Sequence, residues 1–410
     1  MKIALSPSSL TGAIDAPLSK SYAHRLLIAA ALSGGSLRFG DSADAFHTAT
    51  GLSELGFAAD FSGDSVRFGA FKKKEGVSLV HVGESGSTLR FLLPLAAALG
   101  VSAEFVAEGR LGERPMGALV SCLASHGVTA TALSVSGRLA SGLFEIDATV
   151  SSQFVTGLLM ALPILSGDSE LRLVGKLVSS PYVEITLEVL RQAGIEIEQK
   201  GGSFLIRGNQ TYRLETSAVQ GDYSGAAFFL AAGALGEGVS VRGLTPSSAQ
   251  GDKAIVSVLK QAGAIVKEET GVVTVRKGEM RPFTVDIEKI PDLAPILSVV
   301  AAFLPGESVL ESVARLKDKE SDRLFAIRDM LKKAGIRSEE EGNSLRIFGG
   351  KPRGAAFGAF SDHRMAMSEA VLAAFAEGNS EIDDGACVKK SYAAFWRDYE
   401  TCGGKYEVER

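Results

Sequence analysis

Residues 191–208 read RQAGIEIEQKGGSFLIRG: a helix end, a glycine, and two alternating strands joined by a polar turn. Gly194 suits the left-handed conformation that closes a helix at little cost. Beyond it, Ile195 and Ile197 alternate with Glu196 and Glu198, and GGSFLIRG completes a hairpin. The same design recurs in SELGFAADF (53–61), ASHGVTATA (124–132), KQAGAIVKE (260–268), KKAGIRSEE (332–340) and, most weakly, ETCGGKYEV (400–408). Their glycines, Gly56, Gly127, Gly194, Gly263, Gly335 and Gly403, stand 67 to 72 residues apart. A fixed interval of this kind marks a repeated supersecondary unit.

Each unit also carries a second helical stretch, among them SGSTLRFLLPLAAALG, SSQFVTGLLMALPILSG, YSGAAFFLAAGALGEG and HRMAMSEAVLAAFAEG. These are apolar nearly all round, so they should be buried. Six α/β units in 410 residues imply two domains of three units each, which also fits the usual size of a single core.

The formal net charge of −5 supplies no basic field for nucleic acid, so anions must be held by local clusters of Lys and Arg. Three cysteines (Cys122, Cys387, Cys402) without a CxxC pair suit a reducing compartment and small buried side chains. No secretory h-region and no run of 18 apolar residues is present, so the chain reads as soluble and cytoplasmic, with no membrane partner. Lys72–Lys74 and Glu339–Glu341 read as solvated turns. GxxxxGK[ST], GxGxxG, HExxH and GxSxG are all missing, which disfavours the nucleotide, zincin and α/β-hydrolase chemistries they serve.

Polar residues gather where the buried helices begin, and a helix start offers free N–H groups and a positive dipole end to anions. The clusters are Ser19–Arg25 with Lys20 and Ser21, Gly83–Arg90 with Gly86, Gly112–Met116 with Arg114, and Ser151–Phe154 with Ser152 and Gln153. Further along come Ser179–Tyr182, Ile290–Pro295 with Asp292, Lys317–Phe325, and Ser361–Met367 with Lys390 downstream. Each alone fits a simple cap or a solvated charge as well as it fits an anion site; His24 reads as structural.

Taken in order, SKSYAHR, SGSTLR, ERPM, SSQF, IPDLAP, KESDRL, DHRMAM and Lys390 resemble the 3-phosphoshikimate 1-carboxyvinyltransferase (EPSP synthase) family over residues 15–395. The resemblance implies an α/β (α+β) two-lobed inverse α/β barrel, each lobe three repeated βαββαβ-type units around buried helices. It implies a discontinuous lobe of residues 1–14 plus 221–410 on the phosphoenolpyruvate side, and a second lobe, 15–220, on the shikimate 3-phosphate side. The active site would lie in the cleft and close on ligand.

The resemblance also assigns roles. Lys20 would contact both substrates; Ser21, Arg25, Ser151, Ser152, Gln153, Ser179, Tyr182, Asp292 and Lys319 would bind shikimate 3-phosphate. Gly86, Arg90, Arg114, Gln153, Arg323, Arg364 and Lys390 would serve phosphoenolpyruvate. Asp292 would accept the hydroxyl proton, Glu320 would act at the methylene carbon, and Lys20 would assist. No metal or organic cofactor is implied, a monomer is expected, and glyphosate is a candidate inhibitor.

Glu84 stands where many members have Asn, Ser87 where Thr is common, Ser180 where Lys is common, and Arg315 where an Asn often contacts shikimate. The related UDP-N-acetylglucosamine enolpyruvyl transferases carry a reactive Cys before their Arg-Pro, whereas AEGRLGERPM (107–116) has none. A catalytically dead scaffold would be expected to lose Lys20, Asp292 or Glu320, and all three remain.

Overall fold

The computed structural model describes residues 1–214 and 216–409. The chain forms two compact units, Lys20–Val219 and Met1–Ser19 together with Gln220–Arg410. The first contains helices α1 (Lys20–Ser33), α2 (Ala43–Leu55), α3 (Gly86–Leu99), α4 (Gly117–Ala124), α5 (Ser152–Ala161) and α6 (Pro181–Gln192). The second contains α7 (Tyr223–Leu235), α8 (Ala254–Gln261), α9 (Ala294–Ala302), α10 (Arg323–Lys333), α11 (His363–Phe375) and α12 (Phe395–Thr401). Odd-numbered helices are sheathed nearly all round by protein, and even-numbered ones bury one face. In α7 every residue is buried. Each fully buried Phe, such as Phe154 or Phe228, contributes roughly 1.5–3 kcal/mol relative to exposure.

Six four-stranded sheets surround these helices among the described residues, three per unit. In the sheet beside α3, Val77–Gly83 runs parallel to Ser102–Ala107, and Ser134–Gly137 pairs antiparallel with both Ser102–Ala107 and Val128–Ala130. The buried helix supplies the crossover that a parallel pair requires. The order in this repeat is therefore βαβαββ, with a single strand between the two helices and the hairpin after the outer one. That refines the expected βαββαβ order. The six repeat glycines all have positive φ, from 73° at Gly194 to 121° at Gly56, and each follows an outer helix.

The N-terminal segment is shared between two sheets. Thr11–Asp15 runs parallel to Gly238–Arg242 at the start of its unit, and Lys2–Ser6 pairs antiparallel with Lys405–Glu409 at its end. The buried helices pack closely: α5 has Gly157 where a Cβ would strike the Arg90 carbonyl of α3. No described helix is long and apolar enough to cross a membrane.

Glu369 is an exception inside this apolar interior. It lies on α11 with no exposed surface, and neither carboxylate oxygen has a hydrogen-bond partner. Burial, then the nearby Asp383, pushes its carboxyl well above the usual range, with Lys333 acting the other way. A carboxyl raised on folding contributes full stability below its ordinary pKa and loses it as pH rises toward the folded value. The loss is up to ~1.4 kcal/mol per pH unit across that window. Glu369→Gln should match wild type near pH 4 and exceed it by a widening margin from pH 5 to 8. Denaturant unfolding at several pH values checks this, and parallel stability curves would contradict it.

Candidate active-site clusters

In unit Lys20–Val219 the starts of α1, α3 and α5 carry polar clusters. Ser85 caps α3, accepting from the Thr88 amide at 3.2 Å, and Ser151 caps α5, accepting from the Gln153 amide at 3.2 Å. These hydroxyls satisfy one donor each and add no charge, so the positive helix ends stay uncompensated. A buried chain joins α1, α2 and α3: His24 Nδ1 lies 2.6 Å from Thr48 Oγ1, which lies 2.6 Å from Thr88 Oγ1, and that hydroxyl donates to Ser85. Burial holds the His24 imidazole well below its ordinary pKa, so it is neutral and structural.

Arg25 is 2% exposed, and its donors go to uncharged acceptors. Nε donates to Thr186 Oγ1 at 2.8 Å, Nη1 to the Ser21 carbonyl at 2.6 Å, and Nη2 to the Tyr182 carbonyl at 2.9 Å and Thr156 Oγ1 at 3.2 Å. Burial pulls this guanidinium down to about 9. The positive charge is thus fixed in place with no carboxylate among its hydrogen-bond partners in the described residues, which favours an anionic ligand. Lys20 Nζ meets Asp44 at 2.9 Å. Arg90 Nη1 donates to Gln153 Oε1 at 2.5 Å and Nη2 to the Pro115 carbonyl at 3.1 Å, while Gln153 Nε2 donates to Ser87 Oγ at 2.9 Å.

Arg114 lies over the start of α3 because Gly86 has no side chain; a Cβ there would come within 2.6 Å of Arg114 Nη1. The buried Arg114 Nε has no hydrogen-bond partner. Ser179, 4% exposed, holds a left-handed φ of 49° just before α6. A non-glycine residue in that region costs energy that the surroundings must supply, and such strain gathers at ligand sites.

The other unit assembles an acidic and basic cluster around one guanidinium. Arg323, at the start of α10, is wholly buried. Its Nη1 donates to Asp292 Oδ1 at 2.7 Å, Nη2 to Glu320 Oε2 at 2.6 Å, and Nε to Asp362 Oδ2 at 2.7 Å. Asp362 also caps α11 through the Arg364 amide at 3.0 Å and accepts from Ser321 Oγ at 3.0 Å. Arg364 Nη2 approaches Asp292 Oδ2 at 3.1 Å, and Lys319 Nζ approaches its Oδ1 at 3.5 Å. Burial alone would raise the Asp292 carboxyl, but Arg364, Lys319 and Arg323 outweigh it and hold the group well below the usual range. Burial lowers Lys319 despite Asp292. Lys390 Nζ donates at 2.9 Å to the carbonyl of Ser361, whose φ is 53°.

The EPSP synthase (3-phosphoshikimate 1-carboxyvinyltransferase) family model matches residues 5–399. The chain belongs to the EPSP synthase family. Its curated relatives include the 3-phosphoshikimate 1-carboxyvinyltransferases of Clostridium kluyveri, 37% identical over 99% of this chain and 98% of that one, and of Methanosarcina acetivorans, 37% identical over 99% and 98%. Among solved structures the fold matches EPSP synthase from Acinetobacter baumannii with a TM-score of 0.82 at 22% identity, covering 100% of both chains. It also matches the enolpyruvyl transferase NikO from Streptomyces tendae with a TM-score of 0.78 at 19% identity, covering 99% and 98%.

Against this family background, one unit joins Ser21, Arg25 and Tyr182 through α1 and α6, joins Arg90, Gln153 and Ser151 through α3 and α5, and pairs Lys20 with Asp44. Asp292, Lys319, Glu320, Arg323 and Arg364 meet in the other. Several members of these clusters had no assigned role in the sequence: Asp44 on Lys20, Thr156 and Thr186 on Arg25, and Asp362 on Arg323. The sequence placed Asp362 only within the Ser361–Met367 cluster at a helix start, and nothing local marked its bond to Arg323.

Proposed function

We propose that this chain transfers the carboxyvinyl group of phosphoenolpyruvate to the 5-hydroxyl of shikimate 3-phosphate, releasing phosphate, as a step of aromatic amino acid biosynthesis. The observation that carries the chemistry is the Arg323 fork. One buried guanidinium fixes Asp292 and Glu320 on its two terminal nitrogens, 2.7 and 2.6 Å away. The transfer needs two such groups. Asp292 accepts the proton of the attacking hydroxyl, and Glu320 serves the methylene carbon, which gains a proton as the tetrahedral adduct forms and loses one as it collapses.

The proposed roles fall by substrate. Ser151, Ser152 and Ser179 with Ser21 and Arg25 take the shikimate phosphate, a role supported by neutral caps and a buried cation. Gly86, Arg90, Arg114, Gln153, Arg323, Arg364 and Lys390 serve phosphoenolpyruvate, whose departing phosphate gains charge that Arg and Lys offset. Lys20 reaches both substrates, and Lys319 and Tyr182 line the shikimate side. The reading extends to a monomeric cytoplasmic enzyme, consistent with three buried cysteines free of disulfides.

Supplying phosphoenolpyruvate with either shikimate 3-phosphate or UDP-N-acetylglucosamine tests the acceptor. Phosphate release with the first alone is expected; release only with the UDP-sugar would overturn the assignment. At the phosphoenolpyruvate subsite, Gly86→Ala must displace the Arg114 guanidinium. It should raise the KM for phosphoenolpyruvate about tenfold, a cost of ~1.4 kcal/mol, with the KM for shikimate 3-phosphate little changed. Steady-state kinetics check this, and an unaltered phosphoenolpyruvate KM would contradict it.

A further inference from the structure

The unit that holds Asp292 buries another acidic residue, Asp252. Asp252 lies on the short turn Gly251–Lys253, is 5% exposed, and accepts a hydrogen bond from Ser224 Oγ on its Oδ2. Its Oδ1 is buried without a hydrogen-bond partner. This turn and the turn Pro291–Leu293 that carries Asp292 both pack against α7. Gln250 pins the first of them, accepting from the Tyr223 amide at 3.0 Å and donating to the Gly221 carbonyl at 2.8 Å. Gln250 thus fixes the turn that carries Asp252, and a buried acceptor left without a donor carries a desolvation cost that calls for an explanation.

The charged groups facing Asp252 are Asp292, Arg364 of α11 and Asp222 at the α7 cap. Beside it Lys253 turns away to the Pro246 carbonyl at 2.8 Å, and Lys260 of α8 pairs with Glu268 at 2.6 Å. Burial, then the Asp292 charge, pushes the Asp252 carboxyl up to about 6, with Arg364 and the Ser224 hydroxyl pulling it down. Interaction between two charges is mutual: an ionised Asp252 raises the proton affinity of Asp292 by the same electrostatic energy. Asp292 needs that help. Three cations surround it, and a proton acceptor held far below the working pH is a weak one.

We propose that Asp252 is a positioning residue for the transfer reaction, its buried negative charge offsetting the cations around Asp292 so that Asp292 can take the substrate proton. The inference rests on the carboxyvinyl-transfer reading. As pH falls through about 6, Asp252 becomes neutral, Asp292 loses proton affinity, and the rate falls. The acid limb of the kcat profile thus belongs to Asp252.

The test is the pH dependence of kcat from pH 5 to 8.5 for wild type, Asp252→Asn and Ser224→Ala. Asp252→Asn should lose about tenfold in kcat near pH 7.5, keep both KM values within about twofold, and lose the limb near pH 6. Ser224→Ala keeps the carboxylate but removes the bond that favours its charged form, so its limb should move to higher pH. An Asp252→Asn enzyme with wild-type kcat and an unmoved limb would overturn the inference, as would a pH-independent loss with raised KM values. If Asp252→Asn does not fold, an unmoved limb in Ser224→Ala overturns it. A wild-type protein that releases no phosphate from the two substrates would instead overturn the reading on which it rests.

Discussion

Asp292→Asn is expected to bind both substrates and to lose turnover by about 10²–10⁴-fold, the usual worth of a positioned proton acceptor. The amide keeps the shape of the carboxylate but has little proton affinity. It also removes one negative charge from among Arg323, Arg364 and Lys319, which lie 2.7, 3.1 and 3.5 Å from Asp292. Those cations are the groups proposed for the substrates, so the dissociation constants for phosphoenolpyruvate and shikimate 3-phosphate should stay close to wild type or tighten. Calorimetric binding beside kcat separates the two effects. Turnover near wild type would remove Asp292 from its role.

The Asp292 carboxyl depressed by these cations also has a consequence for mechanism. With Arg323 and Arg364 directed at Asp292 the carboxylate is a poor base, and in the proposed reaction it would gain strength once anionic phosphoenolpyruvate took part of their field. Phosphoenolpyruvate binding and proton acceptance are thereby linked, in the proposed reaction, through the same guanidinium groups.

Arg323→Met should be the most destabilising single change in the clusters, by about 3–5 kcal/mol, because it strands carboxylates that have lost their buried partner. Asp362 is fully buried, and Asp292 and Glu320 have 17% and 23% of their side-chain surface exposed. Lysine is no substitute: one ammonium cannot reproduce the planar fork that meets three carboxylates. Asp362 also caps α11, so the loss should loosen the starts of α10 and α11 together. The chemical denaturation midpoint reads this directly, and a midpoint equal to wild type would show that the fork is not structural.

Much of the architecture was written locally. The six glycines needed positive φ after a helix, and that backbone requirement survives whatever surrounds it. The buried helices were equally plain, since an all-apolar helix has no other place to go. The sixth repeat was faint because its sheet is completed by Lys2–Ser6, at the other end of the chain from Lys405–Glu409. No hairpin partner follows Gly403, so local pattern could not reveal one.

The clusters were legible as helix starts rather than as pairings. Arg323 sits in KDKESDRL, a charge run that usually means a solvated face, yet it is wholly buried. What hides it is Asp362, 39 residues away, and Asp292, 31 residues away. Such partners carry no signal in spacing. Asp252 shows the same limit, since an Asp in a Gln-Gly-Asp turn reads as an ordinary surface acid until its burial is known.

The most direct test follows phosphorus-31 resonances while the protein acts on equimolar phosphoenolpyruvate and shikimate 3-phosphate. Carboxyvinyl transfer predicts that one inorganic phosphate appears for each phosphoenolpyruvate lost, while the 3-phosphate stays on the shikimate ring and its resonance moves as the 5-hydroxyl becomes an ether. Phosphate released without any change in the shikimate 3-phosphate resonance, or no release at all, would contradict it.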